Sequence, residues 1–281
     1  MKAYVFPGQG SQKVGMGLEL FDKYKDFTDI ADRVLGYSIK ELCLEDPDNK
    51  LNDTKYTQPA LFTVSALMYL DTVNETGIKG DYLAGHSLGE YNALFASGAI
   101  DFETGIKLVK KRGELMSQAS NGAMAAILRL DEDKIRNIIN DNKLQGVDIA
   151  NYNSLGQTVI SALEEDMDNA IEIFKSEGAK CVKLKVSGAF HSRYMKKASI
   201  EFRKTLDDTN FGKITIPVIA NIDAKLYEED NIRDNLEKQM RSSVRWTDTI
   251  RFLLSNNIDD IEEIGPGSVL TGLTKKIKKG L

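Results

Sequence analysis

Apolar residues in this chain fall in short blocks separated by stretches of helical periodicity. The first block, Lys2 to Phe6, reads as a strand and ends in the glycine-rich turn Pro7-Gly8-Gln9-Gly10-Ser11-Gln12. Polar, turn-rich sequence from Glu45 to Gln58 leads to Pro59, which the pattern places at the first position of a helix running to about Asp71. Tyr82-Leu83-Ala84 has the character of a short buried strand. Glu90 to Ser97 reads as a helix stopped by Gly98, and Asp101 as the N-cap of the next helix.

From Met124 the rhythm changes. Met124 to Leu130 is strand-like, Glu132 to Asn140 helix-like, Val147 to Asn151 and Gln157 to Ala162 strand-like, Glu164 to Glu177 helix-like and Cys181 to Val186 strand-like. That order, strand-helix-strand-strand-helix-strand, is the ferredoxin-like pattern. The chain then returns to a strand-like run at Ile214 to Ala220, a helix around Thr247 to Ser255, the strand Asp260 to Ile264, and a last helix after Gly265-Pro266-Gly267. The expected fold is therefore α/β, with a mainly parallel sheet in a large subdomain (1–122 and 188–281) and a ferredoxin-like βαββαβ insert (123–187).

Composition narrows the function classes. With 281 residues, 42% of them hydrophobic, the chain can bury a substantial core. A net charge of -5 without long blocks makes no electrostatic case for nucleic acid. The basic cluster Lys275, Lys276, Lys278 and Lys279 reads as the solvated end of a final helix, where the carbonyl terminus favours cations, with an edge for an acidic partner as the alternative. Two cysteines, Cys43 and Cys181, form no metal or disulfide framework, so a reducing cytoplasm is expected. Neither a signal h-region nor an apolar run long enough to span a membrane is expected.

The chemistry centres on Gly85-His86-Ser87-Leu88-Gly89, between a strand-like block and a helix-like run. This is the form of a nucleophile elbow, whose glycines relieve crowding around an exposed serine. The pattern by itself arises by chance in about one chain in ten of this length, so other residues must support it. A serine needs a base, and the chain has two histidines. His86 adjoins Ser87, where neighbouring side chains diverge, which leaves His191 in Gly188-Ala189-Phe190-His191-Ser192. No carboxylate lies near His191 in sequence, so a backbone carbonyl is an equal candidate to orient its ring. Arg112 shares the inward stripe of its helix with Leu108, Val109, Leu115 and Met116, and so needs an anion: a distant core carboxylate or a substrate carboxylate held bidentately. An oxyanion hole would combine the backbone N–H groups of Leu88 and Gln9.

These residues sit in stretches that resemble the malonyl-CoA:acyl carrier protein transacylases and polyketide synthase acyltransferases: FPGQGSQ at 6–12, TQPA at 57–60, GHSLGEY at 85–91, KKRGELM at 110–116, GAMAAI at 122–127, AFHS at 189–192 and EIGPGSVLTGL at 263–273. NALFASGAIDFETGIKLVKKRGELMSQAS is similar to the discrete, trans-acting members. The resemblance implies Ser87 as nucleophile, His191 as base, Gln9 and Leu88 as oxyanion-hole amides, Arg112 as clamp on the malonyl carboxylate, and Met116 and Phe190 in the pocket. It also implies a main-chain carbonyl orienting the histidine, assigned to Arg245 in Val244-Arg245-Trp246. Phe190 follows the malonyl-type pattern, while Leu155 and Ala189 stand where many relatives have proline.

The implied activity is malonyl transfer from malonyl-CoA to an acyl carrier protein, without metal or redox cofactor, by a monomer serving a polyketide synthase in trans. An acyl hydrolase clearing carrier proteins is one alternative, although it has no need of Arg112. A non-catalytic carrier-protein docking module with a relic elbow is another, and Ser87, His191 and Arg112 together argue against it.

Overall fold

The computed structural model describes residues 1–186 and 188–280. The subdomain boundary at residue 187 and the terminal residue 281 named above lie outside the described residues. Among the described residues the strands are β1 (Lys2–Phe6), β2 (Tyr82–Gly85), β3 (Gly122–Leu128), β4 (Asp148–Ser154), β5 (Gln157–Leu163), β6 (Lys180–Lys183), β7 (Val218–Ile219) and β8 (Asp260–Glu263). They form two sheets. One is parallel with order β7-β2-β1-β8, and the other antiparallel with order β4-β5-β3-β6, the ferredoxin-like arrangement.

Alternation along the strands explains the layers. In β1, Ala3 and Val5 pack with Trp246, Ile250, Leu253 and Leu273, whereas Tyr4 and Phe6 join the core formed with helices Thr54–Thr76 and Phe102–Ser117. A parallel strand covered by helices on both faces has no polar side, hence its unbroken apolar reading. In β3 the same period sends Ala123, Ala125 and Ile127 into the small subdomain's own core with Ile135, Met167 and Phe174, and sends Met124 toward the large subdomain.

Parallel α/β sheets place ligands at the carboxyl ends of their strands. Here β1 and β2 are neighbours in register, Phe6 opposite Gly85, so the turn at Pro7–Gln12 and the elbow leave the sheet side by side. The His86 N–H donates to the Phe6 carbonyl at 2.9 Å, tying the two turns together.

Several elements differ from expectation. Pro59 lies inside helix Thr54–Thr76, because Asp53 caps the helix by accepting from the Lys55 N–H. The buried face of Thr57, Gln58, Ala60 and Leu61 outweighs the one ladder bond a proline cannot make. The strand expected at Ile214–Ala220 shortens to β7, since Pro217 has no N–H and the Thr215 N–H donates to Ser97 instead. The run Cys181–Val186 leaves the sheet after Lys183, and Leu184 and Val186 turn into a cavity between the subdomains. Helices Lys25–Leu35, Ile39–Leu44, Lys196–Asp207 and Ile232–Gln239 carry no counterpart in the pattern reading.

The elbow glycines are set by close approach. A Cβ on Gly85 would stand 1.9 Å from the Gly89 carbonyl carbon, and one on Gly89 would stand 2.0 Å from the Phe6 carbonyl oxygen. Both contacts are with backbone, which cannot swing aside. Gly89→Ala is therefore expected to lower unfolding free energy in urea by more than about 3 kcal/mol, or to prevent folding. Gly272→Ala, in helix Val269–Lys279 with nothing within 4 Å of the added atom, should instead gain about 0.5–1 kcal/mol. Equal effects would contradict this account of the elbow.

Candidate active site

Ser87 stands at the tip of the β2-to-helix turn with a left-handed backbone, φ 53°. Non-glycine residues adopt this region at some cost, which the surroundings must offset. Asn221 does so directly: its Nδ2 donates to the Gly85 carbonyl at 2.6 Å and its Oδ1 accepts from the Ser87 N–H at 2.7 Å, bracketing the turn from outside.

His191, also at positive φ (57°), arrives from the segment leaving the small subdomain, where Ser161 Oγ donates to the Phe190 carbonyl and the His191 N–H donates to the Met240 carbonyl. Its Nε2 lies 2.7 Å from Ser87 Oγ and its Nδ1 lies 2.8 Å from the Gln239 carbonyl. A carbonyl only accepts, so Nδ1 carries the proton and Nε2 is free to accept from the Ser87 hydroxyl. Burial, with the Arg112 charge as a second cause, lowers the imidazole pKa to about 3 and keeps it neutral. His86, the other histidine, bonds Asn153 Oδ1 on β4 at 2.8 Å, turned away from the nucleophile.

The carbonyl that holds His191 corrects the assignment to Arg245. The Arg245 carbonyl accepts from the Thr249 N–H at 2.9 Å and the Thr249 hydroxyl at 3.1 Å, at the start of helix Trp246–Ser255, and makes no hydrogen bond to the imidazole. Gln239 closes helix Ile232–Gln239, and carbonyls of a last turn lack intrahelical partners. It can therefore accept from His191.

Arg112 is 1% exposed in the middle of helix Phe102–Ser117, whose N-cap is Asp101. Its Nη1 donates to Gln58 Oε1 at 2.7 Å, and its Nη2 donates to Gln239 Oε1 at 2.9 Å and to Ser87 Oγ at 3.1 Å. The guanidinium also lies over the Tyr91 ring, and its Nε has no partner among the described residues. Two glutamine amides thus hold a buried cation that makes no ion pair with a carboxylate among the described residues. The Glu90 carboxylate lies one step further off, accepting from Gln239 Nε2, and burial raises its pKa to about 7.

A cavity of about 100 Å³ opens at Ser87, lined by Gln9, Leu88, Arg112, Met116, Phe190 and His191 among others. Neither the Gln9 nor the Leu88 backbone N–H has an acceptor among the described residues. Leu88 also precedes helix Gly89–Ala96, whose N-terminal end favours negative charge. Leu155 is 43% exposed at the tip of the β4–β5 hairpin, outside this lining. Gln58 and Gln239 hold Arg112, Asn221 brackets the elbow, and Glu90 and Tyr227 lie behind them outside the cavity, none of the five having been anticipated. Glu90 stood inside the GHSLGEY stretch and Gln58 inside TQPA, whereas Asn221, Tyr227 and Gln239 lie outside the matched stretches.

The sequence pattern of the acyl transferase domain family matches residues 3–279. A polyketide biosynthesis malonyl CoA-acyl carrier protein transacylase from Bacillus velezensis is 53% identical, with 99% of this chain and 97% of that protein aligned. Among solved structures, the malonyl CoA-acyl carrier protein transacylase from Burkholderia pseudomallei superposes with a TM-score of 0.97 at 43% identity, covering 100% of this chain and 99% of the other. A malonyl-transacylase in complex with its type II PKS acyl-carrier protein superposes with a TM-score of 0.94 at 38% identity, covering 99% and 93%.

The depressed imidazole pKa links the site to stability. Below the ordinary imidazole value of about 6.5 the unfolded chain takes up a proton at His191 that the folded chain refuses until about pH 3, so acidification favours unfolding. Between pH 7.5 and pH 5, wild-type protein is expected to lose about 2 kcal/mol more unfolding free energy than His191→Gln, read from urea titrations at both pH values. Parallel losses in the two proteins would show that the imidazole is not held neutral.

Proposed function

The chain belongs to the acyl transferase domain family, and we propose that it moves a malonyl group from malonyl-CoA to the phosphopantetheine thiol of an acyl carrier protein, through a malonyl ester on Ser87, for polyketide assembly in trans. The observation that carries the malonyl assignment is Arg112. It is a fully buried guanidinium 3.1 Å from the nucleophile, held by neutral amides, with its charge left for an incoming anion. A carboxylate on the acyl group satisfies it bidentately, and a simple acyl chain leaves it bare.

The transfer runs in two balanced halves. Ser87 Oγ attacks the thioester carbonyl as its proton passes to His191 Nε2. The oxyanion is held by the Gln9 and Leu88 amides, each such donor contributing roughly a hundred- to a thousand-fold in rate. The carbon–sulfur bond breaks, and the imidazolium, steadied by the Gln239 carbonyl, returns the proton to the departing thiolate of coenzyme A. The carrier protein's thiol then gives its proton to the same nitrogen and attacks the ester carbonyl, and the proton returns to Ser87 Oγ as the ester bond breaks.

Every proton and electron pair in this cycle is handled by Ser87, His191 and the two thiols, so the reading calls for no metal or redox cofactor. Ser87, His191 and Arg112 meet within one chain, so the reading requires no second copy. The reading places the chain in the cytoplasm, and the two unpaired thiols, Cys43 buried in the core and Cys181, are in keeping with it. No helix among the described residues is long and apolar enough to cross a membrane.

Intact-mass measurement after incubation with malonyl-CoA should show a malonyl adduct on the wild type that disappears in Ser87→Ala and transfers to a phosphopantetheinylated carrier protein. Rapid release of free malonate without a carrier protein would instead indicate a hydrolase. Arg112→Ala should reduce kcat/KM for malonyl loading by about a hundredfold or more while changing acetyl loading by less than about tenfold. Equal losses with both thioesters would remove the carboxylate clamp from the account.

A further inference from the structure

The buried carboxylate of Glu90 touches no part of the cavity, yet the polar network of the site ends on it. Its Oε1 accepts from the Asn221 N–H and from the Tyr227 hydroxyl, both at 2.8 Å, and its Oε2 accepts from Gln239 Nε2 at 2.5 Å. Glu90 is fully buried in the first turn of the helix that starts at the elbow. All three contacts are donors, an arrangement suited to a carboxylate rather than to a neutral acid.

The Gln239 side chain has one accepting and one donating end, and its neighbours decide which faces where. Arg112 can only donate, and the Ser87 carbonyl and the Glu90 carboxylate only accept. Oε1 therefore faces Arg112 at 2.9 Å, and Nε2 is shared between the Ser87 carbonyl at 2.7 Å and Glu90. The main-chain carbonyl of the same residue holds His191.

We propose that Glu90 is the positioning residue of this site: by accepting from Gln239 Nε2 it locks the Gln239 amide with its oxygen toward Arg112, and so sets the guanidinium for a carboxyacyl group. The inference rests on the malonyl-transfer reading above. Glu90→Gln keeps the shape and reverses the instruction. The new oxygen remains with Asn221 and Tyr227, so the new amide nitrogen faces Gln239 Nε2, donor against donor. Gln239 then either keeps that clash, which loosens its hold on Arg112, or flips, which sets its Nε2 against Arg112 and its oxygen against the Ser87 carbonyl; both disturb the guanidinium.

The test compares malonyl-CoA and acetyl-CoA loading of the full chain by intact mass, with kcat and KM for each. Glu90→Gln is expected to raise KM for malonyl-CoA and to lower the malonyl-to-acetyl preference by about tenfold or more, with acetyl loading within about threefold of wild type. Tyr227→Phe, which removes one donor to the same carboxylate without adding volume, should shift the preference the same way by a smaller factor. It decides the matter if Glu90→Gln does not fold. An unchanged preference in a folded variant, or equal losses with both thioesters, overturns the positioning role while leaving malonyl transfer intact. A wild type that takes up no malonyl group overturns the transfer reading itself.

Discussion

A backbone carbonyl can only accept a hydrogen bond, and the carbonyl of Gln239, 2.8 Å from His191 Nδ1, therefore decides which ring nitrogen carries the proton. That choice sets what the ring can offer Ser87. With Nδ1 protonated, Nε2 presents a lone pair to Ser87 Oγ at 2.7 Å, the geometry that the proposed nucleophilic role needs, and no carboxylate orients the ring. A neutral orienting group suits a site that already contains the Arg112 charge. A carboxylate at that place would pair with Arg112 and compete with the substrate's own carboxylate.

The fold supplies this contact from elements far apart in sequence. The adjacent carboxyl ends of β1 and β2 bring together the turns that carry Gln9 and Leu88, the segment leaving the small subdomain delivers His191, and the end of a short helix delivers Gln239. Two residues of the reacting group, Ser87 and His191, have left-handed backbones, each at a cost of about 1–3 kcal/mol. They are held there by Asn221 around the elbow and by the Met240 carbonyl behind the histidine. Close backbone packing at Gly85 and Gly89 leaves the elbow no alternative path.

Much of this was legible along the chain, and the reasons for the rest are physical. The elbow is a local motif, and elimination between two histidines needs no coordinates. The inward stripe of helix Phe102–Ser117 exposes Arg112 as a buried charge by periodicity alone. Arg245 was a reasonable but incorrect carrier of the orienting carbonyl, because a main-chain group leaves no side-chain signature. The actual carrier ends an eight-residue helix with two apolar positions, Ile232 and Leu236, too short for its period to register. Pro59 misled because proline usually marks a helix start, whereas the Asp53 cap six residues earlier sets the boundary here. Glu90, Asn221 and Tyr227 act through contacts spanning more than a hundred residues, which neither spacing nor composition encodes.

The central claim is that one buried guanidinium reads the acyl group's carboxylate at the moment the serine attacks. The most direct measurement is a crystal structure of the protein after exposure to malonyl-CoA in the absence of any carrier protein. The account predicts an ester on Ser87 Oγ, its carbonyl oxygen directed at the Gln9 and Leu88 amides, and its free carboxylate on Arg112. A Ser87 ester whose carboxylate points away from Arg112 would contradict it.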